Sequence, residues 1–221
     1  MPAGGLTRAG LKTPRAAAIA GMLFSVLLIA VFVLLRVSVP VDPQEPGSWL
    51  RADTSTVSLA LNLIPFAGIA FLWFIGVLRD RLGEREDRFF ATVFLGSGLL
   101  FLSLLFTAAA LVGGVLIAFQ TAPEELINSA TFRFARAAVY GAVNIYMTKM
   151  AAVFMITTST LAVYTRIAPR WLAFFGYFMA VSLLFSSYYL AWSFIVFPLW
   201  VLVTSVYILI DNIWRTSRKV A

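Results

Sequence analysis

Apolar residues run along this chain in blocks longer than a soluble helix needs. From Ala16 to Leu35 only Ser25 carries a polar side chain. About 20 such residues, rising 1.5 Å each, cross a hydrocarbon core roughly 30 Å thick. Further runs cover about 56–78, 89–118, 137–164, 171–190 and 194–212. The pattern predicts an all-α membrane protein, a bundle of six transmembrane helices. A basic N-tail (1–15) and a basic C-tail (213–221) flank it.

A basic stretch before an apolar run is also the plan of a signal peptide. Its apolar part is only about 7–15 residues, however, and Arg36 stands where a small-residue cleavage motif belongs. The run reads as a retained first helix. Pro40, Pro43 and Pro46 make 37–55 a loop. The third run exceeds what a bilayer requires, so a tilt, a bend near Gly113–Gly114 or a projection beyond the lipid is expected. The fifth and sixth runs are split by a short uncharged turn near Trp192; together they would be too long for one crossing.

Charge tests this count. With the N-terminus in the cytoplasm, twelve Lys/Arg fall in inner segments: three in the N-tail, four in 79–88, two in 165–170 and three in the C-tail. Four fall outside: Arg36, Arg51, Arg133 and Arg136. That asymmetry is what the positive-inside rule predicts, and it places both termini in the cytoplasm. Trp49 and Trp192 sit at outer edges, and Trp73, Trp171 and Trp214 at inner ones. Trp200, inside the sixth run, is the exception. The net charge of +7 then reflects anchoring beside anionic lipid, with no nucleic-acid partner. Arg outnumbers Lys and Ala is abundant, which points to a bacterial plasma membrane.

Composition narrows the chemistry. The chain is 61% apolar and 12% charged, whereas soluble domains carry about 25% charged residues. It has no Cys and no His, so thiolate, iron–sulfur and imidazole chemistry are excluded. No phosphate loop, zinc motif or catalytic dyad occurs, and no metal or cofactor is expected. An enzyme is therefore the least supported class.

Lys149 is the outlier. It lies about 12 residues from one end of the fourth run and 15 from the other. That is roughly 18 Å or more from either end, beyond the reach of a snorkelling stem. Three readings are open. Lys149 binds a solute or exchanges a proton; it pairs with an acidic residue of a partner subunit; or backbone carbonyls and hydroxyls satisfy it within the bundle. Tyr140, Asn144 and Thr148 form a stripe on the same helix. Asn62 lies near Pro65, which cannot donate to the Leu61 carbonyl. Ser186 adds a hydroxyl from the fifth run. These residues predict a polar, outward-facing cavity lined by Asn62, Tyr140, Asn144 and Ser186 and ending at Lys149. The plainer alternative is hydrogen bonding between helices.

Three lesser features complete the reading. Small residues at four-residue spacing in the third run (Ala109, Gly113; Ala110, Gly114, Ala118) suit close helix packing or a homo-oligomer seam. The turn Arg79–Arg88 mixes four arginines with four acids, a self-compensated cap turning at Gly83. Glu124 and Glu125 after Pro123 start a short outer helix and form a rim with Arg133 or Arg136.

The stretch Thr165-Arg-Ile-Ala-Pro-Arg-Trp-Leu-Ala-Phe-Phe-Gly176 resembles the cytoplasmic turn of uncharacterised bacterial six-span membrane proteins, grouped as domains of unknown function. The resemblance implies the span count and transfers no catalytic or binding residue. Two functional classes follow. One is a small-solute or ion carrier in the lipid bilayer. The other is a non-catalytic subunit or scaffold whose lysine meets a partner's acid.

Overall fold

Each long apolar run folds as a helix, because backbone groups in lipid have no water to bond and must pair within the segment. The computed structural model describes residues 13–40, 42, 45–82, 88–165, 168–186 and 193–217. Helices α1 (Thr13–Ser38), α2 (Leu50–Leu82) and α3 (Arg88–Thr121) are followed by the short α4 (Pro123–Ile127). Then come α5 (Ala130–Gly141), α6 (Thr148–Thr165), α7 (Arg170–Ser186) and α8 (Ser193–Ser217). No strand occurs among the described residues.

Five segments are long and apolar enough to cross a membrane: Arg15–Ser38, Gly47–Arg79, Phe89–Thr121, Ala130–Tyr164 and Ser193–Trp214. The fifth expected span, 171–190, is represented by a shorter apolar helix, Arg170–Phe185. The 17 residues of α7 rise about 26 Å, just under the hydrocarbon thickness.

Boundaries move outward from those read in the sequence. A 3₁₀ turn, Gly47–Trp49, leads into α2 at Leu50, so the second helix starts well before residue 56. Helix α3 runs through Gly113 and Gly114 without interruption. At 34 residues it is about 51 Å long and outreaches the core. The segment before the fourth span is helical too. Pro123 opens α4 with Glu124 and Glu125 in its first turn, as expected. Ser129 caps α5, its hydroxyl accepting from the Phe132 N–H at 3.0 Å. A π-helical stretch, Ala142–Met147, joins α5 to α6, making one helical rod from Ala130 to Thr165. The turns expected at Gly83 and Trp192 lie outside the described residues.

The core is an aromatic knot. Phe24 of α1, Phe71 of α2, Phe101 of α3, Phe154 of α6 and Phe197 of α8 are all essentially buried. Phe24 and Phe71 lie 4.5 Å apart between ring centroids, Phe101 and Phe197 4.7 Å, and Phe71 and Phe154 5.3 Å. Phe197 also meets Phe24, Phe71 and Phe154 edge-on at 5.7–5.9 Å. Such pairs contribute about 0.5–1.5 kcal/mol each beyond area burial. Dispersion has to supply most of the cohesion here, since lipid tails are as apolar as the side chains.

Around the knot, α1 lies between α2 and α8, and α6 packs on α3 and α7. Close approach depends on glycine, as two glycines illustrate. A methyl at Gly21 would collide with Ser205 Oγ and come within 2.8 Å of Phe74. One at Gly176 would collide with Ser159 Oγ and reach 3.0 Å from Trp200 Nε1. The Trp200 side chain, out of place as an interfacial anchor, is therefore a core residue, 3% exposed. Trp73, Trp171 and Trp214 are all exposed, as residues facing lipid headgroups should be.

Candidate functional site

Above the knot the packing opens. A cavity of about 380 Å³ lies among α1, α2, α3 and the rod formed by α5 and the π segment. Its wall is mainly hydrocarbon, including Phe32 and Leu35 of α1, Ile64 of α2 and Ala108, Ala109 and Val112 of α3. Phe194, which meets Phe32 at 4.7 Å between centroids, contributes from α8. The polar groups in the wall are Arg36, Trp49, Arg136, Tyr140 and Asn144.

Arg136 organises the polar end. Its Nη2 donates to the Pro40 carbonyl at 2.9 Å and its Nη1 to the Glu45 carbonyl at 3.0 Å. The guanidinium lies 5.7 Å from the Trp49 ring centroid and 6.0 Å from that of Phe132. One side chain thus ties the α1–α2 connection to α5. The prolines of that connection explain why side chains must do this: a segment that cannot form a helix leaves carbonyls without backbone donors. Two buried donors here have no hydrogen-bond partner among the described residues, Trp49 Nε1 and Ser38 Oγ. Trp49 lines the cavity and Ser38 immediately precedes two residues that do.

The π segment shapes the opposite wall. Stretches with i→i+5 bonding are rare and occur often at functional sites, because they change which face side chains occupy. Here Thr148 N–H turns to the Ile145 carbonyl. The Thr148 hydroxyl instead reaches the Asn144 carbonyl at 2.7 Å, supplying the donor that a regular α-turn would have provided. Asn144 Nδ2 in turn donates to the Tyr140 carbonyl at 3.1 Å. Part of the polar stripe read from the sequence is therefore engaged in repairing its own helix.

Of the five residues singled out from sequence, four have described side chains, and two of these share the cavity. Tyr140 and Asn144 line the cavity. Asn62 is on an exposed face of α2, although its neighbour Leu61 lines the wall. Lys149 is not in the cavity wall; its ammonium donates to the Leu184 carbonyl in the last turn of α7. A cation in the last turn of a helix complements the negative end of its dipole. The side chain of Ser186 lies outside the described residues. The rim expected between Glu124 and Arg133 or Arg136 forms elsewhere: Arg51 Nη2 holds both carboxylate oxygens of Glu124 at 2.6 and 2.7 Å.

Arg36, Trp49 and Arg136 were missed as cavity residues. In the sequence they look like outer topogenic charges and an interfacial anchor, and nothing in their spacing brings them together. No group of three or more metal-ligating side chains occurs among the described residues. No protein-family model, curated protein or solved structure matches the chain. The local likeness at Thr165–Gly176 therefore carries no family assignment.

Proposed function

We propose that this is a six-span protein of the bacterial plasma membrane, both termini cytoplasmic, that carries a small solute through a cavity opening on the outer side. The observation carrying this reading is the cavity itself, bounded by four helices and lying beside the aromatic knot. Pockets of roughly 300–1,000 Å³, mostly apolar with a few converging polar groups, are the usual form of small-molecule sites. The charge asymmetry of the loops supports the orientation, since Arg36 and Arg136 belong to the less basic side. A bundle closed by packed rings on one side and open on the other suits alternating access, in which the knot loosens to let solute pass. Lys149 then acts as a strut. It joins the rod that lines the cavity to the end of α7, so movement of one wall reaches the other side of the bundle.

The absence of cysteine makes the test direct. Tyr140→Cys, in an otherwise unaltered chain, is exposed to a membrane-impermeant thiol reagent in intact cells and in inverted vesicles. Fast modification from outside and slower modification from inside are expected of a carrier. Modification from outside alone would overturn transport and leave a binding protein. Modification only from inside would overturn the orientation.

A further inference from the structure

We infer that the inner way out of the bundle is the seam between α7 and α8, which opens to admit water to Ser159, Trp200 and Thr204. This rests on the carrier reading above and names the part that moves. Packing marks the seam. Helix α8 lies closely against α1, and α7 against α6, whereas α8 makes slighter contact with α6 and α7. Polar contacts also tie α7 to α6. Thr160 and Tyr177 share a hydrogen bond at 2.7 Å, and the Lys149 ammonium donates to the Leu184 carbonyl. Across the seam, Trp171 meets Tyr207 edge-on at 6.0 Å between centroids. Trp171 begins α7, so this contact closes the end that the proposed orientation makes cytoplasmic.

Polarity follows the same line. Trp200, Thr204, Tyr207 and Asp211 are spaced four, three and four residues apart along α8 and share one face. That face starts at the knot, where the Trp200 ring stacks on Phe197 at 6.3 Å. Trp200 Nε1 abuts Gly176 of α7, which also abuts Ser159 Oγ of α6. Elsewhere in the bundle the buried hydroxyls of Ser25, Ser97, Thr157 and Thr158 donate to carbonyls about one turn back in their own helices. Ser159 Oγ, Trp200 Nε1 and Thr204 Oγ1 are buried with no hydrogen-bond partner among the described residues. A buried donor left unpaired costs its desolvation, and water entering the seam removes that cost. Opening gives up the Trp171–Tyr207 contact and hydrates three donors, so the seated state is held against a wetted one.

Thr204→Cys, nearly isosteric and the sole cysteine in the chain, reads the proposal. The probe is a membrane-impermeant maleimide, applied to intact cells and to inverted vesicles. Modification from the inner side is expected to be at least about tenfold faster than from the outer side, and than at Ser25→Cys, the ratio expected from relieving one unpaired buried donor. A Gly176→Ala methyl would collide with Ser159 Oγ, so adding it is expected to lift α7 and speed the reaction. Adding Ser159→Ala as well removes the collision and is expected to slow it again. Inner-side modification of Thr204→Cys no faster than that of Ser25→Cys would overturn the inference, as would a rate indifferent to Gly176→Ala. Either result, with Tyr140→Cys reached from both sides, leaves the carrier reading standing with its exit elsewhere. Tyr140→Cys reached from outside alone, with Thr204→Cys reactive from inside, would overturn transport and the exit together.

Discussion

The aromatic knot and the cavity are built from the same helices, α1, α2, α3 and α8 among them, yet one is packed and the other open. In the knot each helix contributes a large flat ring at one level, and Phe24, Phe71, Phe101 and Phe197 interlock. About two turns along, α3 presents Ala108, Ala109 and Val112 to the cavity where it presents Phe101 to the knot. Where rings interlock the helices are packed, and where alanines line the wall a cavity remains, with Arg136 at its polar end. Residue size, distributed along α3, thus decides where the bundle coheres and where it can admit something.

The sharpest way to break that contrast is to remove a ring from the knot. Phe71→Ala, at a residue touching rings from four other helices, is expected to cost about 3 kcal/mol, the low end for a buried phenylalanine because lipid also solvates the lost contacts. Thermal unfolding in detergent should show a clear drop in midpoint. An unchanged midpoint would mean that the rings merely fill space. Next comes the brace. Arg136→Gln loses two charged hydrogen bonds and two ring contacts, for an expected loss of about 1.5–3 kcal/mol. It should also speed proteolysis of the α1–α2 connection while leaving the knot intact.

Adding a ring to the cavity should do the opposite of removing one from the knot. Ala109→Phe enlarges a side chain into existing space, so stability is expected to change by less than about 1 kcal/mol. A loss as large as that of Phe71→Ala would show that the wall has no room. The smallest effect is expected at Arg51→Ala. Its partner Glu124 is 79% exposed, and such surface pairs contribute roughly 0–1 kcal/mol, less at high salt. The midpoint should barely move.

These two regions were unequally legible. Where helices lie follows from apolar length, and the runs around residues 25, 65, 105, 150 and 205 are unmistakable. Which face turns inward does not. In a soluble helix polar residues mark the outside, but here Phe66, Phe178 and Phe185 are exposed while Phe71 and Phe154 are buried. Rings that face lipid and rings that face the knot obey the same chemistry. Helix ends were misread for another reason: Arg51, Asp53 and Arg133 looked like loop, yet all three sit on helical turns that extend past the apolar stretch. Lys149 stands out in an apolar run because a charge at that depth is costly. Its ammonium donates to the Leu184 carbonyl, a group every residue carries, so no sequence pattern can announce that contact. Six π-helical residues in the middle of the fourth run were equally silent.

One property of the knot concerns time. Phe197 touches rings from α1, α2, α3 and α6, so the core of the bundle stays incomplete until α8 is in place. Synthesis proceeds at about 5–20 residues per second, and some 170 residues separate Phe24 from Phe197, so α1 waits roughly 10–30 s for its partner. During that interval Phe24 and Phe71 must be accommodated by lipid, by the insertion machinery or by a chaperone. A ribosome that stalls before α8 leaves an inserted but uncored protein, which is the form a membrane quality-control protease would meet first.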